Sequence, residues 1–98
     1  MTKAHEPITP GEILLTEFLK PLGISQYSLA QATGLPQTRI SQIVHGKRSI
    51  TPETALRLSK ALGTDDRFWI TTQTDYDLEV ERDRHGPEID NVTTLVAS

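Results

Sequence analysis

The stretch Ser25 to Gly46, SQYSLAQATGLPQTRISQIVHG, constrains the fold more than any other part of the chain. Ser25 can cap a short helix whose inward side is Leu29, Ala30 and Ala32, and Gly34 supplies the left-handed turn that must follow. Leu35 plugs the corner, Pro36 opens a second helix with Ile40 and Ile43 on its buried side, and Gly46 closes it as Gly34 closed the first. The small Ala30 lets the two helices cross closely. A short helix, a glycine turn and a crossing helix form one supersecondary unit.

With Ile40 and Ile43 inward, the second helix turns Gln37, Thr38, Arg39, Ser41, Gln42 and His45 outward, and no carboxylate lies among them. Gln and Arg have the donor and acceptor geometry to read base edges bidentately, and Ser and Thr can bond to a base or a phosphate. Gln26, at the amino end of the preceding helix, can hold a phosphate together with free backbone N–H groups. Lys47 and Arg48, just past the second helix, are placed for another phosphate. The blander reading is a polar face that only meets water. Charge decides between them.

The net charge of −3 hides a division along the chain. Residues 1–24 carry Lys3 and Lys20 against Glu6, Glu12 and Glu17, a net of −1. Residues 25–62 carry Arg39, Lys47, Arg48, Arg57 and Lys60 against Glu53 alone, a net of +4. Residues 63–98 set Arg67, Arg82 and Arg84 against nine carboxylates, a net of −6. The polar face lies in the one basic part of an acidic protein, which points to double-stranded DNA.

The flanks build a single domain around this unit; 98 residues are too few for two. Thr9-Pro10-Gly11-Glu12 is a helix start with a capping box. That helix is expected to run to about Lys20, with Pro21 forcing its end. Leu14, Leu15, Phe18 and Leu19 share one face, which Leu22 would extend, and Ile13 falls outside it. Thr51-Pro52 starts another helix, with Ala55, Leu58, Ser59 and Leu62 on one face and Arg57 and Lys60 turned to solvent. Thr64-Asp65-Asp66 caps the last helix, which is expected to reach about Arg82 although residues 75–81 also alternate like a strand. Little of the domain remains for Trp69 and Tyr76 to cover, so Trp69, Tyr76, Leu78 and Val80 are expected to meet a second copy. His85-Gly86-Pro87 breaks the helix, and the β-prone run Asn91 to Val96 is either a disordered tail or a pairing strand. The expected fold is all-α with five helices: residues 1–84 as the DNA-binding domain with a dimerising last helix, and residues 85–98 as a tail.

Residues 25–63 resemble the helix-turn-helix of the phage-repressor class, the Xre, Cro and 434-repressor type, through Gln26, Leu29-Ala30, Gly34, Ile40, Gly46-Lys47 and Ala61-Leu62-Gly63. More narrowly, TPGEILLTEFLKPLGIS, VHGKRSITPETALRLSKALGT and RFWITTQTDYDLEVER are similar to the HigA-type antitoxins, also called VapI-like. Ile70-Thr71-Thr72 departs from the more leucine-rich turn usual in that family. The resemblance implies a homodimer on an inverted-repeat operator, autorepression, and a HigB-type messenger-RNA-cleaving toxin as partner. The alternatives are a solo Xre-type transcriptional regulator without a toxin, and an adaptor that works through its acidic last helix.

Other chemistries find no footing. Asp75-Tyr76-Asp77-Leu78-Glu79 lacks the glycine and the distant glutamate of a calcium loop, and His5, His45 and His85 have no metal-ligand spacing. There is no cysteine, no glycine-rich phosphate loop and no recognisable nucleophile setting. No enzyme activity, metal or cofactor is expected. Without an apolar run long enough for a membrane, the expected location is the cytoplasm. For toxin contact, the expectation falls on residues 1–8 and Ile13.

Overall fold

A computed structural model describes residues 6–97; the toxin-contact expectation for residues 1–8 falls mostly on residues 1–5, outside the described residues. The fold is five helices in sequence, with no strand among the described residues.

The first helix, α1, covers residues 10–22 and is built from an α-helical turn (Pro10–Ile13), a π-helical segment (Leu14–Leu19) and a closing α-helical turn (Lys20–Leu22). Thr9 caps it, its Oγ1 accepting the Glu12 N–H at 3.1 Å. Pro21 does not end it, contrary to expectation. The hydrogen bonds widen to five-residue steps before the proline, with the Lys20 N–H donating to the Leu15 carbonyl. That register is already off the α pattern, so the N–H that Pro21 lacks is not missed. Gly23, at φ 66°, ends the helix instead. Leu14 and Leu19 are fully buried, while Leu15 and Phe18 are partly buried against the same core. Ile13 also packs there, and Leu22 lies in solvent.

Helices α2 (Gln26–Thr33) and α3 (Gln37–Val44) form the crossing pair. Ser25 caps α2 by accepting the Ser28 N–H at 3.0 Å, and Gly34 ends it at φ 73°. Leu29 and Ala30 are buried as expected, but Ala32 is exposed and Thr33 takes the third inward place. Thr33 tolerates burial because its hydroxyl donates to the Leu29 carbonyl at 2.7 Å.

Helix α4 (Pro52–Leu62) buries Ala55, Leu58 and Ser59. Arg57 is not simply a solvated side chain: its Nη1 donates to the Thr33 carbonyl at 2.7 Å and its Nη2 to Glu53 at 3.2 Å. A cation thus sits on the carbonyl end of α2, where it is favourable. Lys60 is exposed.

Helix α5 (Phe68–Asp90) is two helical stretches joined across a kink. The break expected at His85-Gly86-Pro87 falls at His85, whose angles are non-helical (φ −127°, ψ 20°), and the chain beyond it resumes a helical course to Asp90 where a tail was expected. Pro87 falls in the first turn beyond the kink, where its missing N–H costs little. Trp69 is fully buried at the base of α5, its ring 5.1 Å from Phe18 and 4.8 Å from Phe68 between centroids. A group with no accessible surface in one chain has none to offer another, so the dimerising role expected of Trp69 is corrected to a core role.

Candidate nucleic-acid interface

The core fixes α3 on one side and leaves the other to solvent. Ile40, Ile43 and Val44 are buried. Gln37, Thr38, Gln42 and His45 are exposed, and Arg39 and Ser41 are half-buried. Pro36 precedes the helix, and its carbonyl accepts the N–H groups of Arg39 and Ile40 at 3.0 and 3.3 Å. The six expected reading residues therefore share one face, with no carboxylate in α3.

Two internal bonds pre-arrange that face. The Arg48 Nε donates to the Gln42 Oε1 at 2.9 Å, so a residue expected to read bases and one expected to hold phosphate form a unit. The His45 Nδ1 lies 2.7 Å from the Ser41 carbonyl. A carbonyl only accepts, so Nδ1 is the donor in this contact.

Beyond α3 the chain closes in a Schellman arrangement: the Gly46 N–H donates to the Ile43 carbonyl at 3.0 Å and the Lys47 N–H to the Gln42 carbonyl at 2.8 Å. Gly46 stands at φ 73°, which a side chain would resist. Lys47 and Arg48 are exposed on this turn. The turn is pinned from behind. Ile50 is buried, and its N–H donates at 2.8 Å to the Oε1 of Gln73 in α5. Gln73 is itself buried, and its Nε2 donates to Asp77 at 2.9 Å.

At the amino end of α2, Gln26 is half-buried and Tyr27 exposed, with the first-turn N–H groups of the helix beside them. Helix α1 braces the carboxyl end of α3 as well, because Gly11 lies directly against the Ile43 carbonyl. The structure thus gathers Gln37, Thr38, Arg39, Ser41, Gln42, His45, Lys47 and Arg48 on α3 and its closing turn, and sets Gln26 at the start of α2. Three contributors escaped the sequence pattern: Tyr27, Gly11 and Gln73. A lone glutamine inside a helix with no partner nearby in sequence gives no signal of burial.

Comparison with known proteins places this geometry. A model of the helix-turn-helix family matches residues 15–69. The Virulence-associated protein I of Dichelobacter nodosus is 46% identical over 83 residues, covering 84% of this chain and 77% of the relative. Antitoxin HigA-1 of Vibrio cholerae serotype O1 is 36% identical over 94 residues, covering 96% and 89%. The chain belongs to the helix-turn-helix family, in its HigA-type antitoxin group. Among solved structures, the Pseudomonas aeruginosa antitoxin HigA with the higBA promoter superposes with a TM-score of 0.85 at 34% identity, covering 93% of this chain and all of that one. The five-helix plan of the HigA-type fold is therefore shared over nearly the whole chain.

The surfaces expected to join two copies are split by the structure. Tyr76 and Val80, four residues apart on α5, are half-buried on one face, and Leu78, two residues from each, lies 46% exposed on the opposite face. Farther out, Ile89, Val92, Leu95 and Val96 are also exposed. No helix among the described residues is long and apolar enough to cross a membrane.

Proposed function

We infer that this HigA-type chain is an operator-binding antitoxin: a homodimer that represses its own promoter and neutralises a HigB-type messenger-RNA-cleaving toxin. The observation that carries the DNA half is the acid-free outer face of α3, continued by Lys47 and Arg48 on a turn fixed by internal hydrogen bonds. Arg39 and the Gln42–Arg48 pair read base edges, while Gln26, Tyr27 and Lys47 hold phosphates on either side. Two copies related by a two-fold axis at Tyr76 and Val80, one turn apart on the same face of α5, set their α3 helices about 34–36 Å apart, on successive major grooves of an inverted repeat. The toxin half is supported by family membership and by the relatives' names.

A gel shift on the protein's own promoter, joined to co-purification with the product of the adjacent reading frame, tests both halves. A shift together with capture supports the antitoxin. A shift without a captured partner leaves a solo regulator, and capture without a shift leaves an adaptor.

A further inference from the structure

The face formed by α1 and the base of α5 carries a groove that the operator reading does not use. Two depressions meet at Ile8 and Ile13 and hold about 490 and 230 Å³. Phe18 and Phe68 line the larger, and Thr72 and Tyr76 the smaller. Phe68 is 37% exposed and Ile8 53%, so the floor is apolar and open to solvent. Glu12 and Glu17 border the larger depression and Asp75 the smaller, and no Lys, Arg or His lies among the described residues lining either. None of the residues on the α3 reading face contributes to it.

Charge selects the occupant. Carboxylates around the groove repel DNA. The second copy is already placed on Tyr76 and Val80 of α5, which line no part of the larger depression. An apolar floor with an acidic border instead suits a protein segment that inserts an apolar side chain and surrounds it with cations. We propose that the larger depression, floored by Ile8, Ile13, Phe18 and Phe68 and bordered by Glu12 and Glu17, docks the toxin, through an apolar side chain of the toxin flanked by lysine or arginine residues. The assignment rests on the toxin–antitoxin reading above. The larger depression shares no residue with the reading face or with the α5 positions given to the second copy, so a toxin seated there leaves both uncovered.

The test uses the full-length chain and the purified product of the adjacent reading frame, with binding followed by fluorescence anisotropy. Two variants are compared: the charge reversal Glu17→Lys, and Ile8→Glu. Both positions are exposed, and thermal unfolding and operator binding are measured alongside. Each variant is expected to weaken toxin binding roughly tenfold or more, with operator affinity and melting temperature unchanged. Parent-like toxin binding by both variants overturns the assignment. So does a loss confined to self-association, which would make a second copy the occupant. If the parent itself captures no toxin, the toxin reading fails and takes this assignment with it, a result told apart because it appears before any substitution.

Discussion

The Oε1 of Gln73 accepts the Ile50 N–H at 2.8 Å, tying the middle of α5 to the turn that carries Lys47 and Arg48. Both residues are buried, so no water stands ready to replace either partner. The helix assigned to dimerisation and the turn assigned to phosphate are thereby one mechanical unit. Replacing Gln73 by Leu should leave the Ile50 N–H unsatisfied and cost about 1–3 kcal/mol of stability. Calorimetry reads that loss. A gel shift should also show weaker operator binding for the fraction that stays folded. A Gln73→Leu protein as stable as the parent would mean that the bond is replaced by some other acceptor.

Gly11 makes the second brace. A Cβ added there would run into the Ile43 carbonyl and the Val44 Cα, both backbone atoms that cannot swing aside. Gly11→Ala should therefore destabilise the fold by about 1–3 kcal/mol, the usual cost of overpacking. At roughly 4–8 °C per kcal/mol for a domain of this size, the melting temperature reports it directly. The same substitution at Gly86, where a Cβ meets nothing within 4 Å, should be far milder.

The reading face predicts a division of labour. Arg39→Ala or Gln42→Ala should cost about 1–3 kcal/mol at the operator and relax base preference. Lys47→Ala should weaken all sequences alike and make the salt dependence shallower. Because Arg48 bonds to Gln42, a double-mutant cycle on that pair should be non-additive. Additive losses would mean the two act separately on DNA.

Trp69 and Val80 separate folding from association. Trp69→Ala should cost about 3–5 kcal/mol, as expected for emptying a fully buried indole site. Val80→Lys, on a half-buried position outside the core cluster, should leave the monomer folded but shift sedimentation from dimer to monomer and weaken operator binding. A dimeric Val80→Lys protein with parental affinity would remove Val80 from the interface.

Much of this architecture is legible in the sequence. The caps at Thr9, Ser25 and Thr51, and the left-handed glycines 34 and 46, fall where the residues predict them because caps and turns are set by local backbone chemistry. The outer face of α3 follows from the spacing of Ile40 and Ile43 alone. What escaped depends on partners distant in sequence. Pro21 reads as a helix stop, since nothing local announces a π-helical turn ahead of it. Trp69 reads as spare surface, because its pocket is completed by Phe18 far upstream. Arg57 reads as solvated until Thr33 is placed beneath it, and Gln73 reads as nothing at all until Ile50 arrives.

Footprinting of the protein on its own promoter region at low salt, with Arg39→Ala run beside the parent, tests the central claim most directly. The parent should protect two half-sites of an inverted repeat whose centres lie about 34–36 Å apart. Arg39→Ala should lose that preference over unrelated DNA while keeping residual salt-sensitive binding. Absence of any protected site for the parent, or an equal footprint from Arg39→Ala, would show that the α3 face is not the reader.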